Sequence, residues 1–137
     1  MSFFGKKIKA PRQKEKRLTL SKLNPGTMPD APLTVSDADF WDVIARFPLV
    51  VMDFWAAWCM PCRRLGPVIE ALARELQGRV VFGKLDVDDN GHSAQVYRIR
   101  SIPSLLVFKN GQMIDQIVGV SQKEELKRLI EGFGDQG

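Results

Sequence analysis

From residue 33 to residue 133, apolar positions recur with periods that separate helices from strands. After a short extended piece, Leu33 to Val35, Ser36 offers an N-cap oxygen and Asp39 sits at the third helical position. Phe40, Val43, Ile44 and Phe47 then recur at i, i+3, i+4, i+7, which predicts an amphipathic helix closed by Pro48. The run Leu49 to Trp55 is apolar at both parities except for Asp53, the pattern of a central strand covered on both faces. A stripe of Leu65, Val68, Ile69, Leu72, Ala73 and Leu76 predicts a second helix closed by Gly78. Pro67 lies inside it and is expected to kink it, because proline withholds a donor and crowds the preceding turn. Val80 to Asp86 reads as a strand carrying Lys84, Asp88-Asp89-Asn90-Gly91 breaks the chain, and Ser93 to Tyr97 leaves room for a short helix. Leu105 to Phe108 and Met113 to Val118 flank Lys109-Asn110-Gly111-Gln112, in which Asn-Gly is a strong hairpin signal. Ser121 and Glu124 form a capping box ahead of Leu126, Leu129, Ile130 and Phe133. The order βαβαβαββα predicts an α/β fold, a sheet with helices on both faces and an antiparallel hairpin at one edge.

Residues 1–30 show no such period. They are broken by Pro11, Asn24-Pro25-Gly26 and Met28-Pro29, and disorder is expected over most of them, with Leu18, Leu20 and Leu23 available to pack as a short strand or turn. Charge separates the same two regions. Residues 1–22 carry eight Lys/Arg against Glu15 alone, a net +7, whereas the other 115 carry 12 basic and 15 acidic residues, a net −3. A basic arm on a mildly acidic body suits a solubilising tail, or contact with an acidic partner, nucleic acid or a lipid surface. It has no interleaved aromatics and no recognisable module, so nucleic-acid reading is not expected.

With 137 residues, 45% of them apolar, the chain bounds one domain plus this arm, and its core needs no cross-links. Two cysteines make at most one internal bridge, which excludes a disulfide scaffold. No apolar region with a small-residue cleavage site opens the sequence, and no stretch approaches the roughly 20 apolar residues of a membrane span. A cytoplasmic address and no membrane partner are the expectation, and in a reducing thiol pool a CxxC pair can cycle.

Both cysteines fall where the central strand gives way to the helix, in Trp58-Cys59-Met60-Pro61-Cys62-Arg63. The first turn of a helix brings i and i+3 side chains within range of a disulfide. Unsatisfied N–H groups and the helix dipole favour the Cys59 thiolate, the reactive form. Cys62, one turn further in, should be more buried and remain protonated. The expected division is that Cys59 attacks a substrate disulfide and Cys62 then attacks Cys59 to release the reduced substrate. A zinc half-site or two inert thiols compete with this reading. Zinc takes four ligands, and the lone histidine, His92, lies beyond the next strand without a second cysteine pair, so no metal is expected.

Asp53 should have its pKa raised by desolvation. It serves either as proton acceptor for Cys62, through a water, or as a carboxylate satisfied by backbone N–H groups at the strand end. Lys84 is its charge partner if the two strands are neighbours, and otherwise a snorkelling surface lysine. Ile102-Pro103 precedes an apolar strand, where the missing N–H demands an edge or a turn, with a trans bond as the default. Trp55 reads as core and Trp58 as a residue facing a substrate. Gly119 answers a backbone need or admits a partner chain. His92 is given no role.

Taken together, Asp53 to Arg63, Lys84-Leu85-Asp86-Val87-Asp88, Ile102-Pro103-Ser104-Leu105, Phe108-Lys109-Asn110-Gly111 and Val118-Gly119 resemble the thioredoxin family in order and spacing, over about 105 residues from Leu33. The resemblance implies a thioredoxin fold over residues 31–137, a central mixed five-stranded sheet flanked by four helices, and protein-disulfide reductase activity. It implies Cys59 as exposed nucleophile, Cys62 as resolving thiol, Asp53 as buried proton acceptor and Lys84 as its partner. Pro103 would be cis, its loop offering backbone to an extended substrate beside Trp58, Ile102 and Gly119. No bound cofactor is implied beyond the redox-active disulfide. The implied electron donor is a thioredoxin reductase, NADPH- or ferredoxin-linked, acting on a monomer that in turn reduces disulfide-containing proteins. The chain departs from the family at Met60, where glycine is usual. Met60 keeps the Pro61 of reducing members but adds an apolar side chain beside the nucleophile, and with Pro61 it joins the expected substrate-binding set. A more oxidising thiol oxidase or isomerase, and a binding module directed by the basic arm, are the competing functions.

Overall fold

The computed structural model describes residues 17–134. Five strands and four helices alternate in the expected order: β1 Leu33–Thr34, α1 Phe40–Arg46, β2 Leu49–Trp55, α2 Met60–Glu75, β3 Val81–Asp86, α3 Gly91–Val96, β4 Ser104–Lys109, β5 Gln112–Val118 and α4 Lys123–Gly134. They form one sheet in the order β1-β3-β2-β4-β5, with β1, β3 and β2 mutually parallel and β4 and β5 antiparallel to their neighbours. β2 lies at the centre, and its run of apolar residues, interrupted only by Asp53, follows from burial on both faces.

Alternation along β2 divides the core in two. Val50, Met52 and Phe54 face α1 and the short α3, in a cluster with Phe40, Val43, Ile44, Phe47 and Phe108. Leu49 and Val51 face α2 and α4, in a cluster with Leu65, Ile69, Leu72, Leu126 and Ile130. At seven residues α1 is too short to hold itself in water. Burial of Phe40, Val43 and Ile44 supplies on the order of 2 kcal/mol each instead. Phe40, Tyr97 and Phe108 pack ring against ring at centroid distances of 5.4–5.7 Å, tying α1 to α3 and β4. Gly83 lies at a close approach, since a Cβ there would stand 2.7 Å from Met52 Sδ and 3.0 Å from Val35, and the Met52 side chain would have to shift. The hairpin turn is of the anticipated kind, with Asn110 and Gly111 both at positive φ.

One local expectation differs in detail. Asp37 to Asp39 form a turn ahead of α1, and the Asp39 carboxylate accepts hydrogen bonds from the Ser36 N–H and hydroxyl instead of Ser36 capping the helix. α2 runs from Met60 to Glu75 with Pro67 inside it. Of the two placements expected for Pro103, an edge or a turn, the chain adopts the turn, since β4 lies between β2 and β5 and Pro103 precedes it.

Before residue 31, of the two readings offered there, the described residues show Leu18, Leu20 and Leu23 packed as a turn. Residues 17–30 run along the body: the Leu18 carbonyl accepts the Thr34 N–H at 2.6 Å, and Leu20–Lys22 form a 3-10 turn. Leu18, Leu20, Leu23 and Met28 pack on the α1 side of the core, and Gln77 donates to the Met28 carbonyl. The physical reason is the β1 edge, which leaves backbone donors and apolar surface for this segment to cover. Residues 1–16, with most of the basic arm, lie outside the described residues.

Asp37 joins α1's approach to the start of α3. Its carboxylate accepts from the N–H groups of His92 and Ser93 and from the Ser93 hydroxyl, at 3.0, 2.8 and 2.7 Å. Desolvation opposes its ionisation, but these hydrogen bonds and the nearby His92 outweigh it and hold the carboxyl below its ordinary pKa. A depressed carboxyl pKa contributes stability above its unfolded value that is lost as pH falls through the folded value. Asp37→Ala should therefore lower the unfolding free energy by about 1–2 kcal/mol at pH 7 in urea titrations. The gap between variant and wild type should narrow below pH 4.

Candidate active site

β2 ends at Trp55, the chain turns through Ala56 with Cys59 N–H bonded to the Ala56 carbonyl at 3.1 Å, and α2 begins at Met60. Cys59 is thereby the N-cap, and its sulfur accepts the Cys62 N–H at 3.2 Å. Pro61 occupies the first turn, where its missing donor costs nothing. Cys59 and Cys62 are disulfide-bonded with Cα atoms 5.3 Å apart. Cys59, expected as the exposed thiol, is only 5% exposed in this state against 2% for Cys62. Ala56, Trp55, Val87 and Ile102 enclose the pair, and the Ile102 carbonyl lies 3.8 Å from Cys59 Sγ.

The rim is apolar and open. Trp58 is 68% exposed and Met60 58%, with Val118 and Val120 also exposed on either side of Gly119. The Ile102–Pro103 bond is cis, as the resemblance implies and against the trans default. The Pro103 carbonyl accepts the Gly119 N–H at 2.9 Å, and Gly119 holds φ +90, which a side chain would disfavour. Ile102, Pro103 and Gly119 are thus joined in one surface beside Cys59.

Asp53 lies on the face of β2 covered by α2, paired in register with Lys84 on β3 and Leu105 on β4. It is buried, and neither carboxylate oxygen has a hydrogen-bond partner among the described residues. The alternative of a carboxylate satisfied by backbone N–H groups is therefore not what the structure holds. Desolvation raises its pKa to about 7, with the Lys84 charge only partly opposing. Lys84 does not approach Asp53 as an ion pair. Its ammonium rests over the Trp55 ring, 4.5 Å from the centroid, at the wall of a groove of about 790 Å³ that Arg17, Glu70 and Arg74 also line. Gly66 of α2 lies close by, its Cβ direction 3.7 Å from Lys84 Nζ. The structure thus brings Asp53 and Lys84 together beneath the helix that carries the cysteines.

Two rim residues have partners that the sequence reading did not name. Trp58 Nε1 donates to Asp88 at 2.9 Å, and the Asp88 N–H is held by Asp86. Asp88 reads in sequence as one acid in a chain-breaking run, and nothing local links it to a tryptophan 30 residues earlier. Arg63 Nη1 reaches the sulfur of Met60 at 4.0 Å, a contact that i, i+3 spacing on α2 could have suggested. His92 donates its backbone N–H to Asp37, away from the cysteines, and no group of three or more His, Cys, Asp or Glu is placed to hold a metal among the described residues.

The thioredoxin family model matches residues 31–132, which takes in every residue of this site. The chain belongs to the thioredoxin family. Thioredoxin of Staphylococcus aureus strain Mu50 is 44% identical over 101 residues, covering 74% of this chain and 96% of that protein, and thioredoxin of strain MW2 matches equally. Among solved structures, a mutant thioredoxin from Halobacterium salinarum NRC-1 superposes with a TM-score of 0.75 at 36% identity, over 81% of this chain and 97% of that one. Plasmodium falciparum thioredoxin gives 0.68 at 35% identity, over 74% and 98%. The activity is that of a thiol–disulfide oxidoreductase, a protein-disulfide reductase working through the Cys59–Cys62 pair. Family membership implies a reductase as electron donor, disulfide-bearing substrates and no bound cofactor.

The buried acid has a measurable signature. A carboxyl whose folded pKa lies above its unfolded value binds its proton more tightly when folded, so stability falls as pH rises through the interval between the two, here 3.8 to about 7. Asp53→Asn should abolish that fall. Relative to wild type, the variant should gain on the order of 3–4 kcal/mol between pH 4 and pH 8 in urea unfolding.

Proposed function

We propose that Cys59 is the attacking sulfur and Cys62 the resolving one, with Asp53 as the proton acceptor of the second step. The observation that carries this is the position of Cys59 as N-cap of α2, with its sulfur accepting the Cys62 N–H. That geometry favours negative charge on Cys59. Its thiolate attacks one sulfur of a substrate disulfide, an S–S bond forms, and the other substrate sulfur leaves as thiolate. Cys62 then gives up its proton, attacks Cys59 Sγ and expels the reduced substrate, leaving the intramolecular disulfide. Asp53, buried on the α2 face of the sheet and held near neutrality, is suited to take the Cys62 proton, through a water. Lys84 tempers the charge left on Asp53.

Substrate chains bind in extended form against the Ile102–Pro103 loop and Gly119, with Trp58, Met60 and Pro61 supplying apolar contact around the sulfur. The Trp58–Asp88 hydrogen bond holds the indole in place for this. A thioredoxin reductase, NADPH- or ferredoxin-linked, returns two electrons to the disulfide, and the protein acts as a monomer in the cytoplasm, one chain supplying the whole site. Among the described residues no helix is long and apolar enough to cross a membrane. The basic residues before residue 31 form an extension to the thioredoxin-like domain of residues 31–137.

Insulin reduction driven by dithiothreitol tests the assignment. Cys59→Ser should lose the acceleration entirely, whereas Cys62→Ser should accumulate a stable mixed disulfide with substrate through Cys59, seen by mass spectrometry. Mixed disulfide accumulating through Cys62 in the Cys59→Ser protein, and none through Cys59 in the Cys62→Ser protein, would reverse the roles. Asp53→Asn should slow resolution on the order of tenfold or more at pH 7, within the range of general-base effects. Equilibration with a glutathione buffer, in place of a need for dithiothreitol, would move the protein to the oxidase or isomerase class.

A further inference from the structure

Met60 is the one oxidisable sulfur side chain of the active-site stretch, besides the cysteines, to which the reductase mechanism assigns apolar contact and no chemistry of its own. Its side chain stands open at the first position of α2, next to Cys59, and Arg63 donates to its sulfur. The other methionines of the described residues sit differently. Met52 is buried against Gly83, Met28 is partly buried, and Met113 is 44% exposed on β5. In the disulfide state the cysteines have no thiolate to react with an oxidant.

We propose that Met60 is a site of reversible oxidation by hydrogen peroxide that controls how well the rim receives protein substrates, an inference that rests on the reductase reading above. One oxygen passes from peroxide to Sδ: the O–O bond breaks, a sulfur–oxygen bond forms, the sulfur loses two electrons and water leaves. The sulfoxide oxygen is a far better acceptor than a thioether and forms within reach of the Arg63 guanidinium. The product therefore places a hydrogen-bonded polar pair where Trp58 and Met60 otherwise offer apolar contact. A docking protein has to strip water from that pair, whereas a small disulfide reaches Cys59 without covering the rim. Methionine sulfoxide reductases return the sulfur to thioether and reverse the effect.

The test uses the full chain in its disulfide form, treated with graded peroxide, quenched with catalase and mapped by mass spectrometry. Each sample is then assayed with insulin and with dithionitrobenzoate. Met60 should become the sulfoxide while Met52 stays intact. The insulin rate should fall about tenfold, the effect of one poorly compensated polar group in a desolvated contact. The dithionitrobenzoate rate should hold. The two epimer-specific methionine sulfoxide reductases, with dithiothreitol, should restore the insulin rate. Compared with its own untreated rate, Met60→Leu should show no peroxide loss, and Met113→Leu should lose as much as wild type. Full sulfoxide at Met60 with an unchanged insulin rate, oxidation of Met113 that leaves Met60 untouched, or equal loss in Met60→Leu would each overturn the proposal. Untreated protein that reduces neither disulfide would instead bring down the reductase reading itself.

Discussion

The first turn of a helix leaves backbone N–H groups that no carbonyl of the helix can reach, and at the start of α2 one of them is met by a sulfur. The rest of the site depends on that substitution of thiol for the usual cap oxygen. It sets Cys59 and Cys62 at bonding distance, turns the positive end of α2 on Cys59, and uses Pro61 where no donor is missed. Its position is fixed from below by β2, which is buried on both faces and hydrogen-bonded on both edges, so the strand cannot slip without exposing its apolar set. Cys59 and Cys62 differ little in exposure in the disulfide state. What separates them chemically is their position along α2.

The same packing that holds the helix makes Asp53 costly. Covering β2 with α2 strips water from the carboxylate, and the protein offers it no hydrogen-bond donor in exchange. Lys84 is in register with it but spends its ammonium on the Trp55 ring, so attraction between the two charges only trims the desolvation. A group held near neutrality at physiological pH results, which is the condition an acid–base partner needs. Stability is given up at this position.

Most of the architecture could be read from the chain because its signals are local. A period of 3.6 marked α1 and α2, short apolar runs marked β2 and β3, Asn110-Gly111 marked the hairpin, and the chemistry of Cys59-Met60-Pro61-Cys62 needs only one helical turn. The features that escaped are contacts across long separations. Asp37 holding the start of α3, and Asp88 holding Trp58, each join acids to partners 30 to 56 residues away, and a lone aspartate in a polar run carries no mark of this. Residues 17–30 were only partly legible, for a related reason. Leu18, Leu20 and Leu23 could be read as a set able to pack in a turn, but they show no period of their own, and only the open edge of β1 gives them a place to pack. Local charge and proline content describe a tail there, whereas the tertiary surface makes it part of the folded body.

That the field of α2, and not exposure, selects the nucleophile is the claim on which the mechanism stands. Brief alkylation of the reduced protein with iodoacetamide at pH 7, followed by peptide mapping, tests it most directly. The account predicts carbamidomethyl on Cys59 with Cys62 spared until the protein is unfolded. Equal modification of the two cysteines, or modification of Cys62 first, would contradict it.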